Sequence, residues 1–284
     1  MRLSEAAFGH HRLSVGYPSP MPGLLAILSP AKTLDMDAIP EGLTATRPRL
    51  QGHTRTLAGT LEPYSAAKLS KLMSISDKLA ALNVQRWSDF GGKANPRGPA
   101  AMCFRGDVYQ GLEAWTLDAR SLKWAQGHVR ILSGLFGLLR PLDVIQPYRL
   151  EMGTKLKTDA GSNLYQFWGD AITKTLRKDM GEAKADVLVN LASDEYSKAV
   201  DFGALDVRVL ETTFLQRSGG ASKFISFYAK RARGLMARWM SEHRPRTVKD
   251  LRGFNLEGYR CDAKASDDQQ LVFTRAKPAA KKAS

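Results

Sequence analysis

The sequence predicts a single mixed α/β domain, of α+β or α/β type, and three observations predict it. Short apolar runs with strand character are interleaved with amphipathic helical stretches along the chain. No linker divides it, and no internal repeat is present. The 284 residues are 43% apolar and 25% charged, enough to bury a core without a disulfide or metal. The expected domain covers 23–274, between an N-terminal extension (1–22) and a disordered basic tail (275–284).

The elements follow in chain order. Residues 1–22 carry His10, His11, Pro18 and Pro20 without periodicity. Met21 stands just before the first apolar run, so either Met1 or Met21 is the start. Residues 24–28, bounded by Pro22-Gly23 and Ser29-Pro30, read as a buried strand. Residues 44–60 are polar and arginine-bearing and read as a surface segment. Residues 64–82 read as one helix, because Leu69, Leu72, Ile75 and Leu79 recur at helical spacing. Glycines and prolines make 91–99 a loop. The apolar run 129–139 is cut by Gly134 and Gly137 and stopped by Pro141. Residues 164–180 read as a helix, and 186–191 and 207–214 as strands. Residues 222–240 read as a helix with Tyr228, Ala232, Leu235 and Trp239 on one stripe, and 271–273 as a last strand.

Charge narrows the function classes. Forty-two Lys and Arg against 28 Asp and Glu leave +14. Such a surplus suits nucleic acid, acidic lipid or a phosphorylated small molecule, or is a generally basic surface with no dedicated partner. Between Lys223 and Lys249 eight cations meet one acid, Glu242, so this segment holds +7, half of the surplus. Its Lys230, Arg231, Arg233 and Arg238 fall on the predicted helix, which either lies along a phosphate backbone or is a solvated face. Cys103 and Cys261 have no Cys-x-x-Cys spacing and suit a reducing compartment. With no 18-residue apolar run and no secretory pattern, a cytoplasmic protein without a membrane anchor is expected. The histidines form no ligand pair, so neither metal nor cofactor is expected.

Several turns concentrate chemistry. Ser29-Pro-Ala-Lys-Thr33 follows a strand and can hold an anion with hydroxyls, backbone amides and Lys32, although it is not a Walker sequence. Arg105, Asp107, Arg149, Glu151 and Ser193 lie on other short turns. If these turns converge they form a polar cleft; otherwise they are salt bridges tying loops together. Gly134-Leu-Phe-Gly137, with Arg140 close behind, is either the turn of a helix-hairpin-helix element or a tight turn inside a core segment.

In order along about residues 23–274, these motifs resemble the YaaA family (UPF0246 or DUF328), proteins of the peroxide stress response. The matching segments are Ser29-Pro-Ala-Lys-Thr-Leu34, Phe104-Arg-Gly-Asp-Val-Tyr-Gln-Gly111, Leu132-Ser-Gly-Leu-Phe-Gly-Leu-Leu-Arg-Pro-Leu-Asp143, Gln146-Pro-Tyr-Arg-Leu-Glu-Met-Gly153, Asn190-Leu-Ala-Ser-Asp-Glu-Tyr196 and Ile225-Ser-Phe-Tyr-Ala-Lys-Arg-Ala-Arg-Gly234. The resemblance implies a cytoplasmic DNA-binding protein of the hydrogen-peroxide response. Such a protein limits oxidative damage to DNA and protein by keeping unincorporated iron low. It also implies an unusual α/β fold with a positively charged cleft and a helix-hairpin-helix element. On the matching motifs the cleft falls to Lys32, Arg105, Arg140, Arg149, Lys230 and Arg233, and the hairpin to 134–140. Both ends of the chain extend beyond the family pattern.

Two functions are therefore expected. In the first, the cleft cations with Gly134, Gly137, Arg231 and Arg238 contact phosphates of double-stranded or structured DNA with little sequence preference. In the second, an enzyme binds a phosphate- or carboxylate-bearing small molecule through Lys32, Arg105, Arg149 and Ser193, with Asp107 or Glu151 as general acid or base. A long open groove of one sign favours DNA, and a narrow pocket lined by both signs favours the enzyme.

Overall fold

The computed structural model describes residues 23–37, 44–219 and 221–277. The readings of 1–22, the choice of Met1 or Met21, and the tail beyond Lys277 lie outside these residues.

Eight strands form the main sheet: β1 (Gly23–Leu28), β2 (Val129–Ser133), β3 (Gly137–Leu139), β4 (Ala185–Leu191), β5 (Arg208–Ser218), β6 (Ala221–Lys223), β7 (Arg260–Cys261) and β8 (Gln270–Ala276). Their order is β7-β8-β5-β4-β1-β2-β3, with β6 paired to β5. Leu24 to Leu28 are buried on both faces, as a central parallel strand requires. The strands β2, β1, β4, β5 and β8 run parallel, whereas β3, β6 and β7 are antiparallel additions. The chain leaves β1 for one neighbour, β2, and later returns on the other side as β4. That reversal makes a topological switch point between β1 and β4, where the carboxyl ends of parallel strands open a crevice.

Among the described residues, seven α-helices of six residues or more accompany the sheet: α1 (Gln51–Leu61), α2 (Ala66–Met73), α3 (Asp77–Asp89), α4 (Asp107–Leu112), α5 (Ala119–His128), α6 (Ala171–Glu182) and α7 (Ser226–His243). The α4 and α7 backbones touch where Gly111 meets Gly234. A Cβ on Gly234 would lie 1.7 Å from the Val108 carbonyl oxygen, so only glycine permits this approach. The contact holds α4 against the middle of α7. No helix of the described residues is long and apolar enough to cross a membrane.

The mixed α/β single domain is as expected, but several elements differ from their sequence reading. The supposed surface segment 44–60 contains α1, whose buried face of Thr54, Leu57, Ala58 and Leu61 is weakly apolar. The single helix expected over 64–82 is two, because Ser74 takes a left-handed conformation and Ser76 caps the start of α3. The helix expected over 164–180 is divided at Gly169. The tail does not begin at 275. Arg275 is buried in β8, donates to Gln216 Oε1 at 2.9 Å and pairs with Glu257 at 2.6 Å.

The helix-hairpin-helix expected at 134–140 is a β-hairpin. β2 and β3 pair antiparallel, with Ser133 opposite Gly137. The apolar run is too short for two helices, and its backbone groups are satisfied by β1 and by the hairpin itself. Both glycines pack against protein. A Cβ on Gly134 would meet the Leu150 carbonyl oxygen at 2.4 Å, and one on Gly137 the Trp168 ring at 2.8 Å.

One buried charge cluster ties α6 to the sheet. Asp179 on α6 is fully buried and receives both Nη groups of Arg49 and, at 2.5 Å, Nε of Arg130 on β2. Burial alone would raise its pKa, but the hydrogen bonds and charges of the two arginines hold it below the usual carboxylate value. Asp179→Asn leaves two cations without their anion and is expected to cost about 3–5 kcal/mol in urea unfolding at pH 7. Because the folded pKa is depressed, this contribution is complete above the unfolded value of about 4 and is lost as pH falls through the lower folded value. The gap between wild type and Asp179→Asn should therefore close on acidification below pH ~4.

Candidate functional site

A cleft of about 590 Å³ opens at the switch point. Its floor is the join between β1 and β4. Ser29, just beyond β1, accepts the Ser193 backbone N–H at 2.9 Å and donates to the Ser193 hydroxyl at 3.2 Å. Tyr109 on α4 closes the join from below, donating to the Ser29 carbonyl at 3.1 Å. Ser193 sits at the N-cap of the helical turn Asp194–Ser197 without capping it; its hydroxyl accepts from Ser29 and donates to no described residue, so its proton is available to the cleft.

The structure brings together most of the residues singled out from the turns. Lys32, Arg105, Asp107, Glu151, Ser193, Lys230 and Arg233 all line this cleft. Four cations, Lys32, Arg105, Lys230 and Arg233, face four carboxylates, Asp107, Glu151, Asp194 and Glu195. The expected positively charged cleft is thus lined by both signs.

The four cations are not equally available. Lys32 pairs with Glu151 at 2.5 Å, and Arg149 joins the same carboxylate at 3.2 Å from outside the lining. Arg105 is committed to backbone: it donates to the Met102 carbonyl at 2.5 Å, pairs with Asp35 at 3.1 Å and lies 4.3 Å from the Trp115 ring centroid. Lys230 and Arg233, one turn apart on α7, make no hydrogen bond or ion pair with any described residue. Burial lowers the Arg233 pKa, opposed by the fields of Asp194 and Glu211, yet a guanidinium stays charged at any working pH. A half-buried permanent cation without a close partner is relieved by an anion.

Other expected residues lie elsewhere. Arg140 pairs with the fully buried Asp143 at 2.8 Å. Arg231 pairs with Glu257 at 2.7 Å, and Arg238 with Glu242 at 2.9 Å. The basic segment therefore divides by helix face, with Lys230 and Arg233 toward the cleft and Arg231 and Arg238 in ion pairs. The sequence reading missed Glu195, Ser226 and Phe224 in the lining. Phe224 and Phe227 are 58% and 52% exposed at the mouth of the cleft and at the start of α7, and their position off the apolar stripe was the available signal.

Among the described residues no group of three or more His, Cys, Asp or Glu side chains is arranged to hold a metal ion. Burial pushes the Cys103 thiol up to about 12. Fully buried and held protonated, Cys103 lacks the exposed thiolate that reaction with peroxide needs. Iodoacetamide at pH 7.5 should leave Cys103 unmodified in the folded protein and alkylate it in urea, as read by mass spectrometry. Alkylation of Cys103 in the folded state would contradict this assignment.

Comparison with known proteins agrees with the motif order. The peroxide stress protein YaaA family matches residues 24–265. A UPF0246 protein of Maricaulis maris is 49% identical over 257 residues, which are 90% of this chain and 98% of that protein. A UPF0246 protein of Paracidovorax citrulli is 52% identical over 256 residues, 89% and 98% of the two chains. One of Albidiferax ferrireducens is 49% identical over 257 residues, 90% and 99%. With its core matched from β1 to beyond β7, the chain belongs to the YaaA family of peroxide stress proteins.

Proposed function

We propose that this chain serves the peroxide response by binding DNA, with one phosphate-bearing unit of a strand seated in the switch-point cleft. The observation that carries the reading is the pair Lys230 and Arg233, without close partners in the first half of α7. That helix begins at Ile225 with no side-chain cap and no acid in its first turn. A phosphate there meets two cations, free N–H groups and the positive end of the helix dipole, with the Ser193 hydroxyl opposite. Phe224 and Phe227 offer flat faces on which a base can stack.

The net charge of +14 supports attraction of the strand as a whole. The helical hairpin α2–α3, with exposed Lys68, Lys71 and Lys78, supports a second backbone contact of the helix-hairpin-helix kind, away from 134–140. Phosphate contacts of this sort imply little sequence preference. Limiting oxidative damage by keeping unincorporated iron low is the role the family resemblance supports.

A second reading is favoured by one observation. The cleft carries as many carboxylates as cations, the arrangement of an enzyme acting on an anionic small molecule. There Lys230 and Arg233 would hold the anion, and Asp107 or the Lys32-paired Glu151 would transfer a proton.

One titration separates the two. DNA affinity is measured from about 50 to 200 mM salt for wild type and Lys230→Gln/Arg233→Gln. The variant should bind at least about tenfold more weakly at low salt, with a salt slope lower by about 1–2, whatever the DNA sequence. Unchanged DNA binding by the folded variant removes DNA from this cleft. Turnover of a phosphate ester that is lost in Asp107→Asn would establish the second reading.

A further inference from the structure

The Leu132–Asp143 motif, left over by the switch-point cleft, builds a different cavity. A second depression of about 410 Å³ lies at the start of α1. Its floor is Phe136, from the β2–β3 hairpin loop, with Phe90 beyond α3 and Val144. The two phenyl rings lie 6.2 Å apart. Three arginines, Arg47, Arg55 and Arg97, line it, and no carboxylate does. None of the three forms an ion pair with a described residue; Arg97 donates only to the Gly92 carbonyl, at 2.7 Å.

Placement of these groups is structural, not incidental. Asp143, fully buried, accepts from the Thr46 hydroxyl at 2.6 Å and from Arg140 at 2.8 Å. Arg140 in turn donates to the Arg47 carbonyl at 3.2 Å. The Arg140–Asp143 pair thereby pins the segment that carries Arg47. The first turn of α1 has no side-chain cap and no acid, and it adds free N–H groups beside the arginines.

The chemistry of the walls selects a ligand. An apolar aromatic floor takes a flat ring, and three guanidiniums without counter-ions take phosphate. The buried polar groups are spent on backbone. The Gln146 amide accepts from Gly91 N–H at 2.8 Å and donates to the Gly92 carbonyl at 3.3 Å, and the Thr54 hydroxyl donates to the Leu50 carbonyl at 3.2 Å. Only the Gln51 amide, exposed in the first turn of α1, is left, and one exposed side chain does not fix the edge of a base. We propose that this cavity is a second ligand site, for a nucleoside phosphate without base selectivity, either a free nucleotide or the phosphorylated end of a strand. Its ring lies on Phe90, with the nearly buried Phe136 beneath, and its phosphates lie among Arg47, Arg55 and Arg97.

The test uses the full chain carrying Lys230→Gln/Arg233→Gln, so that failure of the cleft reading and failure of this one are distinguishable. Calorimetry with ADP, AMP, adenosine and inorganic phosphate should show one site, with ADP tighter than AMP. Adenosine and inorganic phosphate should each be at least about tenfold weaker than ADP. GDP, CDP and UDP should match ADP within about threefold, since the single exposed Gln51 amide does not fix a base edge. Adding Arg47→Gln, Arg55→Gln and Arg97→Gln, all exposed positions, should weaken ADP at least about tenfold at unchanged Tm. A 5′-phosphorylated single-stranded oligonucleotide binding more than about tenfold tighter than ADP would identify a strand end as the source, and weaker binding a free nucleotide. Adenosine binding as tightly as ADP, absence of ADP binding at millimolar concentration, or full ADP affinity in the arginine variant would overturn the proposal. The first two comparisons need no further substitution, so a folding defect cannot obscure them.

Discussion

The structure turns on the junction between the carboxyl ends of β1 and β4. Two distant segments, ending at Ser29 and Ser193, meet there through a pair of hydrogen bonds. The junction exists because β1 is flanked on both sides by parallel strands and the chain reverses direction across it. The turns after β1 and β4 are thereby delivered to one crevice. Lys32 and Ser193 owe their proximity to this topology, although 160 residues separate them in the chain.

The touching backbones of α4 and α7 complete the site. Glycines 111 and 234 bring the helices so close that Asp107, Lys230 and Arg233 share the same lining. This is a rigid way to set charge, because a backbone contact cannot relax as a long side chain does. Opposite charges in the cleft then sort themselves. Lys32 and Arg105 are neutralised by neighbours, while two cations of α7 keep their charge uncompensated at close range. A count of charges would call the cleft neutral, but its field is uneven, and the unevenness is what an anion meets.

The surplus of +14 is likewise not one basic face. Arg231 and Arg275 pair with Glu257, and Arg238 pairs with Glu113 and donates to the Leu112 carbonyl, contacts that fasten α7 and β8 to their surroundings. Arg49 and Arg130 are consumed by buried Asp179. Of the cations without an ion pair, Lys230 and Arg233 line one depression and Arg47, Arg55 and Arg97 line another of different character. One sits at the switch point and carries both signs, and the other has an aromatic floor and arginines alone.

Much of this was legible in the order of residues. Aliphatic runs such as 24–28 mark central strands, and the turns that follow them carry the cleft residues, because short connections leave parallel strands at the same end. Local pattern failed where a weak signal met a tertiary partner. The threonine- and alanine-faced α1 needed the core to be a helix, and Ser74 ended a periodicity that otherwise ran through it. Gly134 and Gly137 looked alike for a helical or a strand hairpin, and pairing with β1 decided the matter. By itself the sequence determined the fold class, the family and which turns carry chemistry, since these rest on local composition and motif order. Only the tertiary structure decided which cations are free, because an arginine's availability depends on the carboxylate or carbonyl that the fold places beside it.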